Sequence, residues 1–151
     1  WAYGRLFERV NELDATVYFE DRKLFFGSIH RSLNHLLLVD RLWLARLKGE
    51  KTGRVNLAEE LETDRSRLEI AIFGQCDAFI EFVDALDEAR IDADIHYVSS
   101  KGEPYTMPLA PLLAHIVNHG THHRGQVSTA LTQCGIEAPV MDIPYFLIDQ
   151  R

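Results

Sequence analysis

Histidines are the residues of this chain best suited to bind a metal ion, and four of the seven cluster at His115, His119, His122 and His123. His119 and His123 are four residues apart, so on a helix they share one face and lie about 6 Å apart along the axis. Two imidazoles at this spacing can converge on one metal ion. Both also occupy places in an apolar stripe where a core residue is expected. Burial penalises an imidazole that has no partner, and coordination would supply one.

The same segment contains other histidine pairs. His115 and His119 have the same spacing, and His119 and His122 also share a face. Periodicity alone therefore does not choose the pair. The stripe favours His119 and His123, because His115 and His122 fall toward its edges. The alternative is that these histidines are structural and bind no metal.

A third ligand must come from another helix, and His35 is the best candidate. It lies in a strongly apolar segment that includes Leu36–Val39, so the segment is expected to be central and buried. His30 is expected to be exposed near a helix start, and His96 falls in an irregular connection. The alternative for His35 is a hydrogen-bonded core histidine without a metal.

Three neutral imidazoles would leave coordination positions open on the ion. A structural site usually fills all four positions with protein ligands, whereas an open site can lower the pKa of bound water, polarise a carbonyl or bind a thiolate. Imidazole suits zinc, nickel, iron and copper, so the ligands do not name the metal. Residues that could orient the rings are Asn34, Asp40, Asn118 and Gln126.

Four amphipathic segments position these residues. Apolar side chains three and four apart predict helices over Tyr3–Val17, about 23–48, from a cap at Thr63 or Asp64 to Leu86, and from Pro108–Pro111 to Cys134–Gly135. Residues 50–62 read as a polar connection, and residues 91–108 read as a long connection with a hairpin. We therefore predict an all-α fold, a four-helix bundle with a short hairpin-like connection before the last helix, formed by residues 1–151 as a single domain.

The composition excludes several classes of protein. A net charge of −7 without a Lys/Arg cluster argues against nucleic-acid binding, which requires a basic surface. No apolar run reaches the length of a membrane span, so no membrane interaction is expected. Cys76 and Cys134 fall within helical patterns and are interpreted as reduced, buried thiols, which predicts a cytoplasmic location.

Two motifs together resemble the DinB/YfiT-like metal-binding superfamily. The run Asn118–Gln126 is similar to its H-x-x-x-H-R-G-Q signature, and Asn34–Leu44 is similar to its second-helix motif, N-H-x-x-x-x-D-x-x-W. The resemblance covers essentially the whole chain. It implies an up-down-down-up connectivity, a homodimer, and a three-histidine site made by His35, His119 and His123, with His115 and His122 as non-ligands.

The resemblance also implies two functions. Related branches include thiol-dependent transferases, so the first hypothesis is an enzyme that uses nickel or zinc, with iron also considered, to activate a thiol or water toward an electrophile. Such a metal-dependent thiol transferase or hydrolase would bind a small-molecule substrate or thiol. The second hypothesis is a non-catalytic metal-binding protein of the stress response, or an interaction module. The sequence shows no dedicated nucleophile or general base, so no catalytic residue is assigned.

Overall fold

The computed structural model describes all residues 1–151, and most of them are helical as predicted. Its elements in chain order are α1 (Ala2–Val10), α2 (Ala15–Phe19), α3 (Ile29–Leu47), α4 (Arg65–Asp84), a 3₁₀ turn (Glu88–Arg90), β1 (Asp94–Val98), β2 (Pro104–Pro108), α5 (Leu109–Gln133) and α6 (Ile143–Asp149). The residues form two compact units, of which the first comprises 1–32 and 121–151 and the second comprises 33–120. The up-down-down-up connectivity and the single-domain assignment stay predictions.

In the first unit, the N-terminal helix predicted over Tyr3–Val17 is wrong as one element, because residues 11–14 separate α1 from α2. Asp14 has an extended backbone at the start of α2, with φ −59° and ψ 148°. The apolar periodicity continues across the break because Leu13 is itself buried. A stripe of buried residues records which side chains face the core and does not show whether the backbone between them is helical.

The second predicted helix begins later than the sequence indicated. It starts at Ile29 rather than near Lys23, because residues 22–27 form a turn. Lys23 and Gly27 both have positive φ, at 59° and 88°, which no α-helix allows. The N–H of Arg22 donates to the Gly27 carbonyl oxygen at 2.8 Å and closes the turn.

The C-terminal segment of the first unit packs on its N-terminus. The Trp1 Nε1–H group donates to Asp149 Oδ2 at 2.8 Å, and the Trp1 ring meets Phe146 edge to face at 5.8 Å. Tyr145, Leu147 and Ile148 of α6 remain exposed. The hydrogen bond and the ring contact of Trp1 therefore join α6 to the start of the chain.

The second unit contains the part of α3 that the sequence predicted to be buried. Residues 33–39 are all buried, and Asn34 and His35 are among them. The core cluster of this unit comprises Val39, Trp43, Leu47, Ile95, Leu109, Leu112 and Ile116. Asp64 caps α4 as predicted, because its Oδ1 accepts from the N–H of Arg67 at 2.9 Å.

The predicted hairpin is present before the last long helix. Strands β1 and β2 pair antiparallel, with His96 opposite Thr106 and Tyr97 opposite Tyr105. Gly102 takes a φ of 91° in the connecting turn, a conformation that glycine adopts without strain. Because β2 ends at Pro108 and α5 begins at Leu109, the hairpin leads directly into the histidine-bearing helix.

Two bulk expectations can be compared with the structure. None of the helices combines the length and the apolar character that crossing a membrane requires. Cys76 and Cys134 form no disulfide, but both are half-buried, so the expectation of buried thiols is wrong.

Candidate metal centre

His35 lies in the buried part of α3 and its ring is oriented by a backbone group. It is 4% exposed, and its Nδ1 lies 2.8 Å from the Leu57 carbonyl oxygen. Since a carbonyl only accepts, Nδ1–H is the donor, and the neutral ring then carries its lone pair on Nε2. This is the tautomer that a metal-ligating Nε2 requires.

The connection that supplies the Leu57 carbonyl is held in place by Asn34. Asn34 Oδ1 accepts from the N–H groups of Leu61 and Glu62 at 2.8 and 2.9 Å, and its Nδ2 donates to the Glu62 carbonyl at 2.9 Å. These bonds satisfy a buried amide that burial would otherwise penalise. Asn34 thus acts on His35 through the connection.

His119 approaches His35 within the second unit. Their Nε2 atoms are 3.3 Å apart, and the ring centroids are 5.2 Å apart. Two nitrogens that bind the same tetrahedral zinc ion, each at 2.0–2.1 Å, lie about 3.3 Å from each other. The separation therefore fits two imidazoles that share one ion.

His123 lies one turn after His119 on α5, and their ring nitrogens are within 4.8 Å. His123 is 8% exposed, and its Nδ1–H donates to Gln126 Oε1 at 2.8 Å, which again leaves Nε2 as the acceptor. Burial lowers the pKa of His123, and the hydrogen bond to Gln126 opposes that shift without cancelling it. The neutral ring, which is the form that binds metal, is favoured.

The remaining histidines have other partners. His122 Nε2 accepts from Gln126 Nε2 at 3.1 Å on the exposed side of α5, and His115 is exposed beside Trp43. His96 Nδ1 lies 2.8 Å from Thr106 Oγ1 in the hairpin. The expectation that His30 is exposed is wrong, because it is 1% exposed and its Nδ1 lies 3.1 Å from the Tyr18 hydroxyl.

Of the four side chains expected to orient the rings, Gln126 does so directly and Asn34 does so through the connection. The structure gives no ring contact to Asn118, and the role of Asp40 stays a prediction. Sequence reasoning missed the Leu57 carbonyl. Every residue type carries that group, so no pattern of side chains could have pointed to it.

A cavity of about 200 Å³ opens beside His35 and His119 in the second unit. Its wall is formed by His35, Val39, Leu42, Trp43, Arg46, Leu57, Ser100, His115 and His119. Val39, Leu42, Trp43 and Leu57 give the cavity apolar walls, and the other lining residues are three histidines, Arg46 and Ser100. Polar groups set among apolar walls can fix the orientation of a small molecule.

Three neighbouring histidines, His35, His119 and His123, are thus a group that could hold a divalent metal ion. The fit rests on the 3.3 Å approach of His35 to His119 and on the tautomers that Leu57 and Gln126 fix. All the donors are nitrogen, which suits zinc and nickel alike.

Comparison with known proteins gives concordant results. The sequence profile of the DinB family matches residues 1–150. Protein DinB of Bacillus subtilis (strain 168) is 29% identical over 153 residues, which cover 97% of this chain and 88% of the relative. The crystal structure of a DinB-like protein from Bacillus cereus ATCC 10987 superposes with a TM-score of 0.67 at 18% identity, covering 94% of this chain and 91% of that chain. The structural likeness shows a shared fold, and it supports the predicted helical bundle.

Proposed function

The chain belongs to the DinB family, and from that membership and the histidine geometry we propose that it binds one divalent metal ion through His35, His119 and His123. The observation that carries the proposal is the 3.3 Å approach of two Nε2 atoms, one of them on a ring whose Nδ1–H is held by the Leu57 carbonyl. Nickel and zinc are the proposed ions, with iron as a further candidate, because the all-imidazole donor set suits each of them.

We propose that the site is enzymatic, a metal-dependent thiol transferase or hydrolase acting on a small molecule. An ion held by three imidazoles supplies Lewis-acid chemistry, since it can lower the pKa of a bound thiol or water. Leu57 and Gln126 would orient the rings of His35 and His123 toward the ion. Trp43 and Val39 form apolar walls of the adjacent cavity, against which a substrate would be positioned. That cavity favours an enzyme over the alternative, a non-catalytic metal-binding protein of the stress response. The homodimer and the cytoplasmic location stay predictions.

Metal analysis of the purified full chain tests the site. We expect about one nickel or zinc ion per chain, and loss of the ion in His35→Ala and in His123→Ala. His122→Ala is the matched control, since His122 neighbours His123 but lies on the exposed side of α5, and it should retain the ion. Retention of the ion by both ligand variants would refute the assignment.

Two further measurements separate the functional alternatives. Turnover of a panel of electrophiles with thiols or water by the metal-loaded protein, and its loss on chelation, is the result expected of an enzyme. Full metal occupancy without turnover would favour the non-catalytic alternative. Equal melting temperatures with and without chelator, together with no bound metal, would instead indicate structural histidines.

A further inference from the structure

Arg46, in the last turn of α3, is a buried cation with unsatisfied donors. Its side chain is 5% exposed, and its Nε and Nη2 atoms have no hydrogen-bond partner. Arg46 forms no ion pair, in contrast to Arg5, Arg9 and Arg22. Buried guanidinium groups are normally paired with an anion or with carbonyl oxygens, because desolvating the charge is costly. The side chain therefore lacks the partner that its burial calls for.

Aromatic rings hold the guanidinium in place. Its central carbon lies 4.7 Å from the Trp43 ring centroid and 5.1 Å from the Tyr97 centroid. Cation–π contacts of this kind stabilise the charge but use the ring faces, and they satisfy none of the N–H donors in the guanidinium plane. Burial lowers the pKa of Arg46, yet a guanidinium remains charged at neutral pH.

The position of Arg46 links it to the metal centre. Residues 35, 39, 43 and 46 recur at helical spacing, and all four line the same cavity. Since helical side chains lean toward the N-terminus, the guanidinium lies over Trp43 and points back toward His35. Along α3, His35 thus lies about three turns before Arg46, with Val39 and Trp43 between them on the same cavity wall.

We propose that Arg46 binds the carboxylate of a small molecule whose reactive end meets the histidine site. This inference rests on the proposed function, and it adds the substrate class. A planar guanidinium matches a carboxylate through two parallel hydrogen bonds. Arg46 is the only Lys or Arg side chain in the wall, which suits a singly charged carboxylate better than a doubly charged phosphate. The cavity of about 200 Å³ limits the ligand to a small molecule.

A matched pair of thiols tests the proposal in the metal-loaded full chain. The probes are 6-mercaptohexanoate and 6-mercaptohexanol, which share the thiol and the chain length and differ in the carboxylate. Isothermal titration calorimetry should give about tenfold tighter binding of the carboxylate probe to the unaltered protein, and equal affinities in Arg46→Gln. Arg41→Gln, an exposed arginine on the same helix, is the control and should keep the preference.

A second variant and a second pair of probes separate the failure of this inference from the failure of the proposed function. Arg46→Lys keeps the charge but loses the planar fork, so it should keep only part of the preference. Metal content should be unchanged in both variants. Binding of both thiols with equal affinity to the unaltered protein would overturn the carboxylate site and leave the metal site standing. If no metal binds, hexanoate against hexanol tests Arg46 alone, and equal binding would overturn it. Inorganic phosphate that outcompetes acetate would overturn the carboxylate assignment.

Discussion

Two cavities of nearly equal size, one in each unit, contain an arginine in very different surroundings. The second unit's cavity, of about 200 Å³, contains Arg46, and the first unit's cavity, of about 210 Å³, contains Arg124. Arg124 is half-exposed, donates to Thr121 Oγ1 at 3.2 Å and lies 5.0 Å from the Tyr3 ring centroid. Arg46 is buried and has no hydrogen bond at Nε or Nη2.

The two arginines differ in whether the fold satisfies their polar groups. Arg124 has partners within the protein, whereas Arg46 has buried donors that we propose a ligand satisfies. Arg124 has polar and aromatic partners of its own, and water can reach it. Its donors therefore do not require a bound ligand. The other cavity combines unmet donors with two histidines whose Nε2 atoms converge. Cavity volume alone would not distinguish them, whereas the state of their polar groups does.

The largest effect is expected from removing a metal-ligating side chain beside the second unit's cavity. Removing a polar side chain from the wall of the first unit's cavity is the comparison. His119→Ala is expected to weaken metal binding by at least about 100-fold, more than the loss of an outer partner would. Thr121→Ala, two residues further along α5, should leave the metal affinity unchanged. The measurement is competition with a chelator of known affinity. Equal losses in the two variants would break the comparison.

Asn34→Ala should remove the hydrogen bonds that hold the connection supplying the Leu57 carbonyl. Leaving its buried partners unsatisfied should lower the free energy of unfolding by about 1–3 kcal/mol, measured by urea denaturation. Metal affinity should fall as well, because the orientation of His35 depends on that connection. Asn56→Ala is the matched control, since Asn56 is exposed and caps only the N–H of Ala58, at 3.1 Å.

Gln126→Ala should have a smaller effect on the metal. It removes the acceptor that holds His123 Nδ1–H, and loss of such a partner costs about 10-fold or more in metal affinity. Thr129→Ala, on the exposed surface of the same helix, should cost nothing in the same chelator competition. An unchanged affinity in Gln126→Ala would show that Gln126 does not orient the ligand.

The smallest effect belongs to Arg124. Because its hydrogen bond and its ring contact are partly solvated, Arg124→Gln should lower the free energy of unfolding by about 1 kcal/mol or less. It should also leave the preference for 6-mercaptohexanoate intact, in contrast to Arg46→Gln. Loss of that preference in the calorimetric titration would contradict the distinction between the two arginines.

The sequence predicted most of the helices and the three-histidine group because both depend on the spacing of side chains. Periodicity identified the buried run of α3, and the stripe together with the family resemblance selected His119 and His123. The predictions from the sequence failed where the backbone conformation determines the end of a helix. The positive φ at Lys23 and Gly27 excludes a helix there, and the break at residues 11–14 interrupts a segment whose apolar spacing continues.

Arg46 was missed for a different reason. An arginine in the last turn of a helix is ordinarily a solvated cation that complements the helix dipole, so its residue type and position gave no signal. Its burial depends on Tyr97 of the hairpin, which is 51 positions away in the chain. His30 was missed in the same way, because its partner Tyr18 comes from α2 across a turn that the sequence had assigned to a helix.

The Leu57 carbonyl has a consequence for how this protein can change. The group that orients His35 belongs to the main chain, so almost any side chain could replace Leu57 without removing it. A deletion or insertion between Glu50 and Leu61 would shift the carbonyl along the chain and take it away from the ring. The connection should therefore tolerate substitutions far better than insertions or deletions. Its tolerance runs opposite to that of a typical surface loop, in which length varies freely.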